Sequence, residues 1–146
     1  MLDKTIGFAL CGSFCTYAKA MAALKNLTNI YAKVIPIFSQ ASWETDSRFG
    51  TADGHIRQAE DLCSVPALHT IPQVEPIGPK KLLDALVVAP CTGNTLAKLA
   101  HGIADGPVTM AAFAAAVKID TFAYLPVQDF GNAFSTFAAQ NYGAGN

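Results

Sequence analysis

DALVVAPCTGNTLAKLAHGIADG, running from Asp84 to Gly106, joins an unbroken apolar run to a polar turn and then to a helical repeat. Ala85 to Ala89 has no polar position, the pattern of a strand buried on both faces of a parallel sheet. Pro90 ends it. Leu96, Leu99, Ala100 and Ile103 recur at i, i+3, i+4 and i+7, which predicts an amphipathic helix. Cys91, Thr92, Gly93, Asn94 and Thr95 form the small-residue turn between the two, and Asn94 or Thr95 can cap the helix. The free amides and positive dipole end of such a helix suit an anion such as a phosphate. An ordinary strand-to-helix connection without a ligand is the other reading.

Working outward, Thr5 to Leu10 reads as a first strand. Cys11 to Thr16 is a turn, followed by a helix carrying Tyr17, Ala20, Met21 and Leu24 on its apolar side. Tyr31 to Phe38 is a second strand, with Pro36 suited to an edge or a bulge. Gln40 to Gly50 is polar and irregular, Thr51 to Cys63 is a helix with Ile56, Ala59 and Leu62 on one side, and Ala67 to Ile71 is a short strand. Pro72, Pro76, Gly78 and Pro79 make residues 72–81 a loop. Ala111 to Val117 is helical by propensity, Thr121 to Leu125 reads as a final strand, and Gly131 to Asn146 has no clear period. Strands alternating with helices predict an α/β fold, a three-layer, doubly wound parallel sheet.

That topology collects the carboxyl ends of the strands along one edge, where open α/β sheets bind their ligands. Three polar loops fall there. Gly12, Ser13 and Thr16 follow the first strand, Ser39 follows the second, and Thr92 to Thr95 follow the apolar run. Gly12 permits close backbone approach, and the hydroxyls supply hydrogen bonds near helix starts. Gly7 and Gly12 are five apart, which is neither the dinucleotide fingerprint nor the phosphate loop with its lysine.

The 146 residues are 51% hydrophobic and 14% charged, with ten Lys and Arg against eleven Asp and Glu, a net charge of −1. One domain over residues 1–146 is expected from that length. No basic field exists for a nucleic acid or an anionic membrane surface. The longest apolar stretches fall short of the roughly 18 to 20 residues that cross a bilayer. So sparse a charge predicts that part of the surface is covered in a homo-oligomer. Cys11, Cys15, Cys63 and Cys91 show neither disulfide-scaffold nor zinc spacing, and no secretion signal begins the chain, so the reduced cytoplasm is the expected compartment and no metal is expected. His55, His69 and His101 lack metal or catalytic spacing and read as structural or solvated. Trp43 to Phe49 either covers a planar ligand or packs internally, with Arg48 able to pair with a carboxylate. Lys80 and Lys81 read as a solvated pair.

Gly12-Ser13 after the first strand and Pro90-Cys91-Thr92-Gly93-Asn94-Thr95 before a later helix resemble the flavin-containing cysteine decarboxylase superfamily. Within it, CGSFCTY, TDSRFG, EPIGPKK, APCTGNTLAKLA and ADGPVTMAA resemble the family of dipicolinate synthase B subunits, over Gly7 to roughly Ala112. The resemblance implies a flavodoxin-like or Rossmann-like protein that holds FMN between protomers. It places Gly12, Ser13, Ser39, Cys91, Thr92, Asn94 and Thr95 around the cofactor, with Asn94 as the polar contact to the reacting groups. It also implies a partner, the NADP-dependent A subunit, and a small heterocyclic dicarboxylate as substrate, a dihydrodipicolinate oxidised to dipicolinate in sporulation. Decarboxylases of the superfamily carry a histidine before the buried strand, and Glu75-Pro76-Ile77-Gly78 has none, which counts against the alternative of decarboxylating a cysteine-containing intermediate. A non-catalytic flavin-binding or assembly subunit is the remaining alternative. Gln128 and Asp129 faintly resemble the family's late Gln-Asp loop.

Overall fold

β1 (Leu2–Leu10), β2 (Tyr31–Phe38) and β3 (Ala85–Val88) form a parallel sheet in the order β2-β1-β3. The structure is a computed structural model that describes residues 1–143, in backbone alone at 117–129, 131, 138, 141 and 143. Two compact units divide the chain, Met1–Ala115 and Ala116–Asn146. The sheet and the predicted site residues all lie in the first.

Because strand side chains alternate between faces, β1 feeds two cores. Phe8 and Leu10 face α1 (Tyr17–Ile30) and α3 (Ala52–Cys63), where Tyr17, Met21, Leu24, Ile56 and Ala59 close over them together with Val34 and Phe38 of β2. Ala9 and Cys11 face the other way, with Ile37 of β2, onto Val74 of α4 (Ile71–Val74), Ile77, Leu83, and Val108 and Ala111 at the start of α6 (Pro107–Gly143). Helices therefore cover both faces of the central strand, the three-layer α/β arrangement expected.

Several local expectations are corrected. The stretch after β2 is not irregular throughout, since Gln40–Glu44 forms a short helix, α2, capped by Ser39. The expected strand at Ala67 to Ile71 shrinks to a single parallel bridge between Ile37 and Leu68. Leu68 uses both its backbone groups there, donating to the Pro36 carbonyl at 2.9 Å and accepting from the Phe38 amide at 2.8 Å. Pro36 thus supplies only its oxygen, which is what a proline can do on an outer strand. Residues 72–81 hold most of α4 and a 3-10 turn, Glu75–Ile77, rather than an open loop. Thr121 to Leu125 is helical, within α6, and residues 131–143 continue that helix. The side chains of Gln128 and Asp129 lie outside the described residues.

β3 departs most from its sequence pattern. Ala85 is exposed and Val87 is 37% exposed, while Leu86 and Val88 are half-buried. Its position explains this. β3 is the outermost strand beside β1, and the helices α1 and α3 that cover Phe8 do not reach its matching face. On α5 (Gly93–Ala100) and just beyond it, Leu96 at 62% and Ile103 at 45% are also exposed, so the predicted apolar stripe exists but is uncovered within this chain's described residues.

Three acids are held in their neutral forms. Burial pushes the Cys63 thiol from its ordinary 9.0 up to about 11. Burial likewise raises the Cys11 thiol and the Tyr17 phenol, with nearby hydroxyls offsetting part of each shift. Unfolded, these groups lose protons at lower pH than when folded, so the stability they contribute is whole below the unfolded values and is lost as pH climbs through the folded ones. The urea midpoint is expected to be lower at about pH 10.5 than at about pH 8, and Cys63→Ala should narrow that difference.

Candidate functional site

The tip of β1 is fastened to both neighbouring loops. The Leu10 carbonyl accepts from the Ser39 amide and from the Ser42 hydroxyl, each at 2.9 Å. One residue on, the Cys11 amide donates to the Pro90 carbonyl at 3.2 Å. The loops after β1, β2 and β3 are therefore drawn to one end of the sheet by backbone chemistry, before any ligand is considered.

The same hydroxyl device is built twice. Ser39 caps α2, its oxygen accepting from the Ser42 amide at 3.3 Å, with the two hydroxyls 2.8 Å apart. The single Ser42 hydroxyl proton goes to the Leu10 carbonyl, so Ser39 donates to Ser42. Thr92 caps α5, accepting from the Thr95 amide at 3.2 Å, with the hydroxyls 3.0 Å apart. Thr95 spends its proton on the Cys11 sulfur at 3.3 Å, so Thr92 donates to Thr95. The cap is thus Thr92 and not Asn94 or Thr95. Only Thr92 has the extended backbone, φ −80° and ψ 155°, that points its side chain back along the helix axis. Thr92→Val should lower stability by about 1 kcal/mol, read as a shift in the thermal midpoint.

Gly12, Ser39, Thr92, Asn94 and Thr95 line one cleft of about 410 Å³. Asn94 is exposed on it and spends neither its amide nor its carbonyl within the described residues. Ser13 and Cys91 flank the cleft without lining it. Ser13 turns its carbonyl to the Thr16 amide and hydroxyl, and the exposed Cys91 thiol lies 3.6 Å from the Thr92 carbonyl. Lys98 and Asp105 also line it, paired at 2.8 Å, and they were missed from sequence. The signal was there in outline, since Lys98 sits one helical turn beyond Asn94 and so on the same side of α5.

A second hollow of about 390 Å³ shares Gln40, Asp105, Gly106 and Pro107 with the first and is walled by Trp43 and His69. Their rings stack at 3.5 Å and 4°, and Trp43 also meets Phe38 edge-on at 6.1 Å. Trp43 is therefore both a packing residue and a cleft wall. The half-buried His69 leaves Nδ1 without a hydrogen-bond partner. His69, not the Glu75 to Gly78 segment, is thus the histidine that precedes β3 near the cleft. His101 closes its own helix by hydrogen bonding through Nδ1 to the Ala97 carbonyl at 2.8 Å. Arg48 lies over the Phe49 ring at 4.8 Å, away from either hollow.

Among the described residues no group of three or more His, Cys, Asp and Glu is placed to hold a metal ion, and no helix is long and apolar enough to cross a membrane. The chemistry that the described residues bring to the cleft is that of hydroxyls, the amide side chains of Asn94 and Gln40, the Lys98–Asp105 pair and the start of α5. Such a set orients a polar or anionic ligand rather than attacking it. The Cys11 thiol beneath it stays protonated near neutrality because burial opposes its ionisation.

Comparison with known proteins shows the fold and the family. Over 109 residues the chain is 42% identical to the B subunit of dipicolinate synthase from Bacillus subtilis (strain 168), an alignment covering 75% of this chain and 54% of that protein. It spans about half the length of this curated relative. The crystal structure of the corresponding B subunit from Bacillus halodurans C superposes with a TM-score of 0.66 at 37% identity, covering 77% of this chain and 57% of that one. Burkholderia xenovorans DmrB, a cubic cage solved in complex with FMN, shares the fold with a TM-score of 0.62 at 23% identity, covering 80% and 61%. The sequence pattern of the Flavoprotein family matches residues 1–127, which takes in every loop of the cleft, and the chain belongs to that family.

Proposed function

We propose that the cleft binds FMN and that the chain acts as a flavin-binding subunit of the dipicolinate synthase B type. The observation that carries this reading is the convergence of Gly12, Ser39, Thr92, Asn94 and Thr95 on one cleft at the carboxyl end of the sheet. Its residues fit the cofactor. Ser39 and Thr92, whose protons go to Ser42 and Thr95, each keep one lone pair with which to accept from the ligand. The amides at the start of α5 suit the phosphate, while the Lys98 ammonium is held in its pair with Asp105. Asn94 offers both a donor and an acceptor to the ring or to the reacting substrate. Ser13 and Cys91 hold the turns in shape from just outside. Bound flavin would supply the capacity to accept a hydride.

The reaction proposed is oxidation of a dihydrodipicolinate to dipicolinate, a small heterocyclic dicarboxylate. Its partner is an NADP-dependent A subunit, and its setting is sporulation, in the cytoplasm. The curated relative's name supports the subunit role. A single functional domain over residues 1–146 and a homo-oligomer belong to the same reading. The uncovered Val87, Leu96 and Ile103 support the oligomer, because a second copy would remove them from water. Light scattering that gave the mass of one chain would overturn it.

The first test is the absorption spectrum of the purified protein and, if it is colourless, titration with FMN. Saturable binding with quenched flavin fluorescence is expected. Failure to bind added FMN would remove the cofactor assignment and leave an assembly subunit. A second reading, decarboxylation of a cysteine-containing intermediate, is favoured by His69 with its unpartnered Nδ1 in the adjoining hollow. Carbon dioxide release from a peptide ending in cysteine, lost in His69→Asn with FMN still bound, would establish it in place of the oxidation.

A further inference from the structure

We propose that the groove between α1 and α3 is a second ligand site, distinct from the cleft, for a small aromatic carboxylate. The groove measures about 560 Å³, within the size range of about 300 to 1,000 Å³ common for small-molecule sites, and shares no lining residue with the cleft.

Its walls are aromatic and its charge has one sign. Phe14 and Tyr17 pack at 5.3 Å and 52°, Tyr17 and His55 meet edge-on at 4.6 Å, and Phe49, 46% exposed, stands at the rim. Such surfaces favour an aromatic ring through edge and face contacts. Among the described residues Lys25 is the one charged side chain lining the groove, so the matching ligand carries a negative charge.

His55 supplies a built polar contact. It is 8% exposed, and its Nδ1 has no hydrogen-bond partner, an arrangement that buried polar groups rarely keep without a ligand or water. The ring is held from its other edge. Gly50 has φ +142°, and a Cβ there would lie 2.8 Å from His55 Nε2, so glycine lets the loop press against the imidazole. The loop is pinned in turn by paired hydrogen bonds between Ser47 and Gly50 at 3.0 and 3.1 Å. The Tyr17 hydroxyl also lacks a partner, but it neighbours Ser42 and Cys11, and we assign only its ring to this site.

The test uses the full chain with methyl-labelled methionine, titrated with benzoate and separately with benzyl alcohol. The sequence has three methionines, and Met21 lines the groove while Met1 and Met110 do not. The Met21 resonance, assigned with Met21→Leu, is expected to shift saturably with benzoate while the other two stay fixed. Lys25→Gln, an exposed substitution that leaves the core intact, should weaken binding about tenfold. Ala18→Trp, also at an exposed position of the groove, should abolish the shift by filling the space. An unmoved Met21, equal binding of benzyl alcohol, or a shift that survives Ala18→Trp would overturn the proposal. Added FMN should leave the Met21 response unchanged, because the two sites are lined by different residues.

Discussion

Gly12→Asp is expected to reduce FMN affinity by at least about 100-fold while leaving the thermal midpoint within a few degrees, with flavin fluorescence and melting curves as the two readouts. The asymmetry comes from where Gly12 lies. A Cβ at this position would meet the Ala41 Cβ at 3.4 Å and the Phe14 ring at 3.8 Å, so a side chain fits without moving backbone. The new carboxylate enters a cleft where Lys98, the one ammonium among the described lining residues, is already paired with Asp105. Among the described residues no further cation lines the cleft to neutralise it beside a phosphate, and like charges about 4 Å apart near a protein surface repel by about 4 kcal/mol, roughly three powers of ten, before salt screens them. Riboflavin, which lacks the phosphate, should lose much less affinity. Equal losses for the two flavins would mean that bulk, not charge, excludes the ligand, and unchanged FMN affinity would move the phosphate away from Gly12.

The elements that could be read from sequence are those whose local pattern and tertiary role coincide. β2 is found at Tyr31–Phe38 as expected, and α1 buries Tyr17, Ala20, Met21 and Leu24, the four residues its period marks. α3 begins after Thr51, whose hydroxyl accepts from the Gly54 amide at 3.1 Å. Elements with too few residues to show a period were not readable. Gln40–Glu44 is one turn and a half, and it exists because Ser39 caps it and Ser42 anchors to Leu10. Leu68 pairs as one residue only, where a short strand was expected over Ala67 to Ile71. β3 shows the converse failure. Its composition is that of an interior strand, yet exposure depends on what lies beside it, and that is not a property of the segment. The site divides the same way. Residues at strand ends were legible because parallel topology gathers those ends. Lys98, Asp105 and His69 were not, since an ion pair across seven residues and a histidine stacked on Trp43 arise only after the chain has folded. The choice of Thr92 as cap was hidden for a different reason. Three neighbouring residues all have capping side chains, and backbone angle alone selects among them.

Phe8→Ala should carry the largest effect on stability, about 3 to 5 kcal/mol in urea unfolding, because every neighbour of the ring is fixed by another element. Phe8 is fully buried at the middle of the sheet, in register with Pro36 on one side and Val87 on the other. Above it Tyr17, Met21, Leu24, Ile56 and Ala59 come from two helices that must stay packed on β1 to cover Leu10 as well. The cavity therefore cannot collapse without separating α1 or α3 from the strand. The same experiment bears on the cofactor reading. Phe8 does not line the cleft, so FMN at about 100 times its dissociation constant should raise the stability of the native protein and of Phe8→Ala by the same amount, about 2.7 kcal/mol. A smaller increment in Phe8→Ala would show that the cavity loosens the tip of β1, where Leu10 and Cys11 hold the loops together. No increment in either protein would mean that FMN does not select the folded state, and the proposed cofactor would fall with it.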